Sequence, residues 1–569
     1  MYRSITSFSR MSTMNYGVKM RFDVKVPMRD GVNLSADLYL PDAQGPFPTV
    51  LIRTPYDNNA ASMIEKGRRL ANQGYACVIQ DCRGRWDSDG VYYAFQNEGQ
   101  DGYDTQEWIG RQAWCSGKVG TAGGSYVGTT QWTTAPHRSR FLTCMVPRVT
   151  PSDYWDSPNY TQGAFQVGVL ATWGMRTNGR TAQSIEYYNW AELFRTLPLM
   201  DLERAAGRDL AFWKDWVKHP TYDDYWRAIS NEDKWGEMAA PALNMGGWFD
   251  LYSKATFVNF NGLRLHGRTP EARQSKLICG PWPHGLSLST KTGDVDFGAG
   301  SMVDLESMEL RWFDHWLKGI DNGVTKEPPL RLFLMGINEW RDEHEWPLAR
   351  TEWQKWHLHS GGRANSLLGD GTLSPDAPGD ESTDTFTYDP NFPVPTAGGN
   401  NCCSPHVVPW GPYDQRSVEM RGDVLCYTSA PLAEDLEVTG PVKLVLYAAT
   451  DAPDTDWTGK LVDVRPDGYA MSLCDGIVRA RYREGRTAPK LPEAGKVHEY
   501  EIDLWVTGNV FRKGHRIRAE VSSSNFPRFD RNLNTGRELG MDAEVRTAHQ
   551  TVHHARAYPS HLVLPVIPR

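Results

Sequence analysis

Short apolar runs alternate with segments of helical pattern near the start of the chain. The runs are "PTVLIR" (48–53), "YACVIQ" (75–80), "KVGTA" (118–122) and "FLTCMV" (141–146). Such alternation is typical of a parallel sheet joined by crossover helices. The pattern resumes at "PALNM" (241–245) and "SKLICG" (275–280), and a helix is predicted within 303–320. The chain is therefore predicted to hold one α/β domain in two pieces, 20–148 and 239–345.

The segment between these two pieces has a different character. Residues 149–238 are rich in Trp and Tyr, as in "SIEYYNWAELFRTLPLM" and "DLAFWKDWVKHPTYDDYWRAI", and lack strand-like runs. This pattern predicts a helical cap inserted into the α/β domain.

The last part of the chain, 346–569, shows apolar and polar residues in alternation. Examples are "VKLVLYAAT", "HEYEIDLWVT" and "HRIRAEVSSS", separated by Gly, Pro and Asp. Many short alternating runs with turn residues between them predict a β-sandwich of jelly-roll type. Residues 360–401, rich in Gly, Pro, Ser and Asp, are predicted to be long loops of this sandwich.

Charge and composition exclude some classes of protein. The net charge is −8 over 569 residues, and Lys and Arg are dispersed, so binding to nucleic acid or to an anionic membrane is not predicted. No stretch has the apolar length of a membrane span. The first 19 residues carry Arg3 and Arg10 but no apolar core, which favours a flexible leader or a start at Met11 or Met14 over a secretory signal. The sequence does not decide whether the protein forms a homo-oligomer.

The cysteines and histidines do not indicate a metal site. Nine cysteines occur without a C-x-x-C pair, which predicts reduced thiols and a cytoplasmic location, with Cys402 and Cys403 as two free thiols. His553 and His554 have no carboxylate or cysteine at ligand spacing. We predict neither a metal nor a cofactor.

Reactive side chains follow four of the predicted strands. Tyr56 comes after "TVLIR", Ser125 after "KVGTA", Asp250 after "ALNM" and His284 after "KLICG". Ligands of open α/β sheets bind at the carboxyl ends of the strands, so these side chains are predicted to meet there. The order Ser, Asp, His is the order of the catalytic triad in α/β hydrolases.

The chemistry explains why these residue types belong together. A histidine can take the proton of Ser125, and a carboxylate holds the imidazole in the required tautomer. The amide of Tyr126 and the hydroxyl of Tyr56 are candidate donors to the oxyanion. Taken singly, Ser125 could lie in an ordinary turn, Asp250 could cap a helix, and Tyr56 could be a core residue. Their joint placement favours catalysis.

The motif around the serine, "TAGGSYVG" (121–128), departs from G-x-S-x-G because its closing glycine comes one position late, at Gly128. The longer run "EGQDGYDTQEWIGRQAWCSGKVGTAGGSYVGTTQW" resembles the cocaine esterase group of serine hydrolases, in which the motif is G-x-S-Y-x-G. The resemblance continues at "RTPYD", "QDCRGRWDSDG", "GGWFD" and "GPWPHG" and into the sandwich. The group shares its fold with Xaa-Pro dipeptidyl-peptidases, α-amino acid ester hydrolases and glutaryl-cephalosporin acylases.

The resemblance implies a fold and a set of site residues. The fold is an α/β-hydrolase core with an inserted helical cap and a C-terminal jelly-roll sandwich. The triad would be Ser125, Asp250 and His284, with the oxyanion hole formed by Tyr56 and the Tyr126 amide. Cap aromatics such as Trp155 and Trp173 would line the pocket.

The residues after Asp250 bear on the substrate. Relatives that bind a free α-amine carry acids there, whereas this chain has Leu251-Tyr252-Ser253-Lys254. We therefore predict an esterase or acylase that acts on a small molecule with an uncharged or weakly charged acyl group. Xaa-Pro dipeptidyl-peptidase or α-amino acid ester hydrolase activity is the alternative, with Asp153 or Asp156 as substitute acids. A non-catalytic binding protein on a hydrolase scaffold is the alternative of another class.

Overall fold

Strands and helices alternate in the first part of the chain. The computed structural model describes residues 15–568, so most of the predicted leader, 1–14, lies outside the described residues. The elements up to residue 148 are β1 (Val18–Pro27), β2 (Asn33–Pro41), β3 (Phe47–Thr54), α1 (Ala61–Asn72), β4 (Ala76–Asp81), α2 (Glu98–Gly110), β5 (Cys115–Gly124), α3 (Tyr126–Thr134) and β6 (Leu142–Arg148).

The inserted segment is helical but consists of short pieces. Its elements are β7 (Tyr160–Thr161), β8 (Ala164–Phe165), α4 (Val167–Thr177), α5 (Trp190–Leu193), α6 (Leu202–Ala205), α7 (Ala211–Lys218) and α8 (Asp224–Arg227). Pro198 and Pro220 interrupt the two runs for which a helical pattern is predicted, because proline has no N–H to donate within a helix. Buried aromatic side chains, among them Trp213, Trp216 and Trp226, form the core that holds these pieces. Packing rather than helix length therefore stabilises the cap.

The α/β pattern resumes after the cap. Its elements are β9 (Leu243–Gly247), α9 (Ser253–His266), β10 (Lys276–Gly280), β11 (Lys291–Thr292), β12 (Val295–Asp296), α10 (Leu305–Trp316), β13 (Leu330–Leu334) and β14 (Glu339–Glu343). The helix predicted within 303–320 is α10.

Both pieces of the α/β domain contribute to one ten-stranded sheet. The strand order is β1-β2-β4-β3-β5-β6-β9-β10-β13-β14. From β4 to β13 neighbouring strands are parallel, as predicted. The strands at the two edges, β1, β2 and β14, run antiparallel to their neighbours, which the apolar runs did not indicate. The carboxyl ends of β3, β5, β9 and β10 lie at one edge of this sheet and place four candidate residues there.

The rest of the chain forms a second, mainly antiparallel sheet structure of eleven strands. Its elements are β15 (Glu352–His359), β16 (Thr372–Ser374), β17 (Asp384–Tyr388), α11 (Arg416–Glu419), β18 (Leu425–Ser429), β19 (Leu436–Thr450), β20 (Asp456–Val464), β21 (Ala470–Arg479), β22 (His498–Phe511), β23 (Arg516–Ser522), β24 (Ala548–His553) and β25 (His561–Ile567). The prediction of loops throughout 360–401 is wrong in part, since β16 and β17 lie there. Both strands are short, and the turn residues around them hide their alternation.

The sandwich packs directly on the α/β domain. Trp248, which follows β9, donates its indole N–H to the carbonyl of Phe333 at 2.7 Å and belongs to the same buried cluster as Leu444 and Trp457 of the sandwich. One hydrophobic core thus spans both parts. The limits predicted for core, cap and sandwich stay predictions. Among residues 15–568, no helix has the length and apolar character needed to cross a bilayer.

Candidate active site

Ser125 lies at a sharp turn between strand and helix. β5 ends at Gly124 and α3 begins at Tyr126, and Ser125 between them has φ 58° and ψ −129°. A non-glycine residue with positive φ is strained, and such strain is characteristic of a nucleophile elbow. The amide of Ser125 donates to the carbonyl of Arg148 at 2.9 Å, which ties the turn to β6. The turn therefore lifts the hydroxyl out of the sheet at its carboxyl edge.

The glycines around the serine allow the helix to approach the sheet closely. Gly123 has φ 138°, and a Cβ at this position would overlap the side chain of Val127. A Cβ at Gly128 would overlap the side chain of Thr150. The helix residue that lies against Thr150 is therefore residue 128, not residue 127. This close contact explains why the closing glycine of the motif comes one position late.

Asp250 and His284 form a buried pair after β9 and β10. Asp250 Oδ1 lies 2.6 Å from His284 Nδ1, and the Asp250 side chain is fully buried. Asp250 Oδ2 also accepts from the amide of Tyr252 at 3.0 Å, so the carboxylate also holds the turn that precedes α9. The side-chain amide of Asn400 donates to the Asp250 carbonyl at 2.9 Å. The histidine ring is thus held through Nδ1, and Nε2 is left for proton transfer.

Tyr56 faces the serine with a hydroxyl that stays protonated. Its Oη accepts from the indole N–H of Trp173 at 2.9 Å. Burial raises the pKa of Tyr56, and hydrogen bonds with Trp173 and Ser125 offset this only in part. A protonated phenol at this position can donate a hydrogen bond to an oxyanion.

The Tyr126 side chain is fixed, which orients its amide. Its hydroxyl donates to Glu98 Oε1 at 2.8 Å and accepts from the amide of Phe95 at 2.9 Å. Glu98 in turn forms a buried ion pair with Arg53 at 3.0 Å. The amide of Tyr126 opens α3, and the first amides of a helix have no acceptor within the helix. This amide is therefore suited to bind an oxyanion.

A cavity lies beside Ser125 and is mostly aromatic and apolar. Its lining residues are Tyr56, Phe95, Ser125, Tyr126, Pro158, Val169, Leu170, Trp173, Tyr252, Cys402 and Cys403. The Tyr252 ring lies 5.8 Å from the His284 ring, which places the histidine at the same cavity. The structure thus brings together the triad candidates, the two oxyanion candidates and Trp173.

Trp155 does not line this cavity. It is 2% exposed, its ring lies 5.8 Å from that of Tyr160 and 5.7 Å from that of Tyr482, and its indole N–H donates to the carbonyl of Pro220. Trp155 therefore packs in the core between cap and sandwich.

Asp153 and Asp156 each have a basic partner. Asp153 pairs with Arg486 at 2.7 Å, and Asp156 pairs with Lys254 at 2.6 Å. Lys254 also contacts Asp503 at 2.8 Å. These acids line a separate, smaller cavity and are already neutralised, so they are not placed to bind a substrate amine at Ser125.

Cys402 and Cys403 are joined in a disulfide, so the prediction of two free thiols is wrong. Spacing arguments consider cysteines that are distant in sequence, whereas adjacent cysteines can bond where the chain turns at the pair. Cys403 has φ 75°, which produces such a turn. The sequence shows the two cysteines side by side, so their bond could have been considered. Nothing in the sequence indicates the role of Asn400 in the same loop, because its contact with Asp250 depends on how two domains pack.

His554 has carboxylate partners after all. Its Nδ1 lies 3.1 Å from Glu381 and its Nε2 lies 2.9 Å from Asp384. Both acids belong to the segment that was predicted to be loop, so sequence spacing could not reveal them. His553 is not in this cluster.

A serine at a strained elbow, a histidine held by a buried aspartate and two candidate oxyanion donors lie at the carboxyl edge of a mixed sheet, which is the arrangement expected of an α/β-hydrolase site. Residues 30–286 match the model of the X-Pro dipeptidyl-peptidase (S15 family), and residues 322–563 match that of the X-Pro dipeptidyl-peptidase C-terminal non-catalytic domain. Cocaine esterase of Rhodococcus sp. (strain MB1 Bresler) is 40% identical over 98% of this chain and 99% of that protein.

Two solved structures are similar over nearly their whole length. An aminopeptidase from the marine sediment archaeon Thaumarchaeota archaeon has a TM-score of 0.83 at 26% identity, covering 100% of this chain and 99% of that one. An α-amino acid ester hydrolase has a TM-score of 0.82 at 26% identity, with the same coverage. The chain belongs to the cocaine esterase-like family and is a serine hydrolase. The hypothesis of a non-catalytic binding protein is thereby set aside.

Proposed function

We propose that this enzyme hydrolyses a small-molecule ester in two steps at Ser125. The serine Oγ attacks the carbonyl carbon while His284 Nε2 takes its proton, and the protonated histidine then delivers that proton to the leaving group. A water molecule, deprotonated by the same histidine, releases the acid from the acyl-enzyme. The observation that carries the proposal is the buried contact of 2.6 Å between Asp250 and His284 beside a cavity that contains a strained serine.

The oxyanion of each tetrahedral intermediate would be bound by two donors. The Tyr126 amide is a backbone donor of a residue whose side-chain hydroxyl is held by Glu98, and the Tyr56 hydroxyl is oriented by Trp173. Donors that are already oriented need no reorganisation when charge develops on the carbonyl oxygen, which is why such sites accelerate acyl transfer.

The cavity wall favours an uncharged acyl group. Its described lining residues include no carboxylate, and Asp153 and Asp156 of the cap are paired with Arg486 and Lys254. A substrate with a free α-amine would bury a cation without a counter-charge, which is costly. The name of the 40% identical relative, cocaine esterase, supports an ester over an amide. The names of the two similar structures keep aminopeptidase and α-amino acid ester hydrolase activity as the second candidate.

The proposed cytoplasmic location rests on the remaining cysteines. Seven described cysteines are free and buried, which is usual for a chain that folds in a reducing compartment.

The test of the nucleophile compares two serines with positive φ. Ser125→Ala should lower the hydrolysis of a short p-nitrophenyl ester by roughly 10⁴- to 10⁶-fold and abolish labelling by a fluorophosphonate. Ser366, in a sandwich loop at φ 65°, is the matched control. Ser366→Ala should keep both the hydrolysis of the ester and the labelling by the fluorophosphonate. Labelling of Ser125→Ala would refute the assignment.

A substrate panel tests the acyl preference. Simple acyl esters, amino acid esters, glutaryl amides and Xaa-Pro amides are compared by kcat/KM. We expect the simple acyl esters to be hydrolysed best, because the cavity offers aromatic surface and no carboxylate. A strong preference for substrates with a free α-amine would establish the second candidate instead.

A further inference from the structure

The wall of the catalytic cavity contains a pair of adjacent cysteines that the hydrolysis does not use. Cys402 and Cys403 lie in a sandwich loop that reaches the α/β edge, where Asn400 of the same loop binds the backbone of Asp250. Both sulfurs and a ring nitrogen of His284 lie within 4.8 Å of one another. Within residues 15–568, no other group of three or more His, Cys, Asp or Glu side chains is placed closely enough to hold a metal ion.

The three side chains are of the types that bind thiophilic cations. Two thiolates and one imidazole, with a fourth position open to water, form a tetrahedral ligand set used for zinc. His284 already has the outer partner that metal-bound histidines commonly have, because its Nδ1 contacts Asp250 at 2.6 Å. The ring therefore presents Nε2 toward the cavity, where a neutral imidazole can donate its lone pair.

The oxidation state of the cysteines decides whether this ligand set exists. In the structure the two sulfurs are bonded to each other and cannot act as thiolates. A dithiol reductant would transfer two electrons and two protons, breaking the S–S bond to give two thiols while the reductant forms its own disulfide. Binding of a divalent cation would then release the two thiol protons.

We propose that the reduced Cys402–Cys403 pair and His284 form a binding site for a thiophilic divalent cation such as Zn²⁺, and that occupation of this site stops hydrolysis. A metal-bound Nε2 has no lone pair with which to take the proton of Ser125. The disulfide form has only one of the three ligands and keeps the imidazole free. Inhibition rests on the proposed role of His284, whereas cation binding does not.

The binding experiment uses Cd²⁺ as a spectroscopic probe on the full chain. The protein is reduced with dithiothreitol, freed of the reductant without air, and titrated with Cd²⁺ while the thiolate-to-metal absorption band is recorded. We expect about one Cd²⁺ per chain in the reduced form and no band in the disulfide form. Cys402→Ser and Cys403→Ser should lose the band. The matched control is Cys426→Ser, which removes a buried cysteine of the sandwich and should retain it.

The activity experiment uses Zn²⁺ on the same preparations, and each variant is compared with its own rate in a chelator. At a free Zn²⁺ concentration of about 100 times the Kd, the reduced enzyme should lose about 100-fold in rate, and the chelator should restore it. The disulfide form should be unaffected.

The two experiments separate this inference from the proposed function. A reduced protein that gives no Cd²⁺ band but retains hydrolysis dependent on Ser125 would overturn the inference alone. A band that survives in Cys402→Ser would also overturn it, because the ligands would lie elsewhere. Cation binding that leaves the rate unchanged would overturn the inhibition and contradict His284 as the catalytic base.

Discussion

His284 and His554 of this enzyme both contact buried carboxylates, but their surroundings differ. His284, at the carboxyl edge of the α/β sheet, has one ring nitrogen against Asp250 and a side chain that is 15% exposed. His554, inside the sandwich, has a fully buried side chain with both nitrogens against carboxylates, those of Glu381 and Asp384. The carboxylate contact itself does not distinguish them.

The difference lies in what remains free. A ring that contacts acids through both nitrogens has no site left to accept a proton, and it contributes to stability by linking strands. A ring held through one nitrogen is oriented but can still exchange a proton at the other. His554 therefore has the surroundings of a structural residue, and His284 has those of a catalytic base. Substitutions of the partner residues at each histidine should therefore affect catalysis at His284 and stability at His554.

The largest effect is expected where the carboxylate orients the catalytic ring. Asp250→Asn should lower kcat by about 10⁴-fold, because an amide no longer selects the tautomer or stabilises the imidazolium. Steady-state kinetics with a p-nitrophenyl ester measure this loss. Asp384→Asn removes the corresponding carboxylate of the sandwich and should leave kcat per folded molecule unchanged. An equal loss of kcat in Asp250→Asn and Asp384→Asn would contradict the different roles assigned to the two histidine–carboxylate pairs.

The tyrosine hydroxyl groups of the two regions should differ in the same way. Tyr56→Phe removes an oxyanion donor and should lower kcat by about 10²- to 10³-fold with a small change in KM. Tyr427 is its counterpart, since its hydroxyl donates to Asp384 at 2.8 Å. Tyr427→Phe should affect the midpoint of unfolding and not kcat. An unchanged kcat in Tyr56→Phe would leave the second oxyanion donor unidentified.

The catalytic edge of the sheet could be predicted from sequence because each residue follows its own strand directly. The apolar runs before Ser125, Asp250 and His284 form strands β5, β9 and β10 in the parallel part of one sheet, with β6 between β5 and β9, so their carboxyl ends lie at the same edge. The position of a parallel strand end is a local property of the chain, and the strand order then brings the ends together.

The sandwich side of the site could not be predicted in this way. Asn400 lies about 150 positions from Asp250 in the chain, which it contacts through a loop without a periodic pattern. Trp173 and Trp155 both lie in the predicted cap, yet only Trp173 reaches the cavity, because the direction of a cap side chain depends on how the cap packs against the other two parts of the molecule. The partners of His554 were missed for the same reason.

A smaller effect, on stability alone, is expected at His554. His554→Gln should lower the free energy of unfolding by about 1–3 kcal/mol, because Glu381 and Asp384 lose a buried hydrogen-bond partner. Urea unfolding followed by tryptophan fluorescence measures this change. His284→Gln is the matched variant, and it should abolish hydrolysis with a smaller loss of stability, since its ring is less buried and has one carboxylate partner. A larger loss of stability at His284 would reverse the comparison.

The smallest expected effect is the dependence of this stability on pH. Burial acts to raise the pKa of Asp384, but hydrogen bonds from His554, the Ala364 amide, Ser360 and Tyr427 outweigh it and hold the pKa below its ordinary value. The folded state then binds this proton less readily than the unfolded state, so the stabilisation is complete above the unfolded pKa of about 4 and disappears as the pH falls through the folded pKa.

Urea unfolding measured between neutral pH and about pH 3 should show this loss. Asp384→Asn should flatten the decline in the free energy of unfolding at acidic pH, because asparagine does not titrate. Asp376→Asn, at an exposed turn of the same domain, should keep the wild-type decline. If Asp384→Asn declines as steeply as the wild type, the hydrogen bonds at His554 do not stabilise the ionised carboxylate.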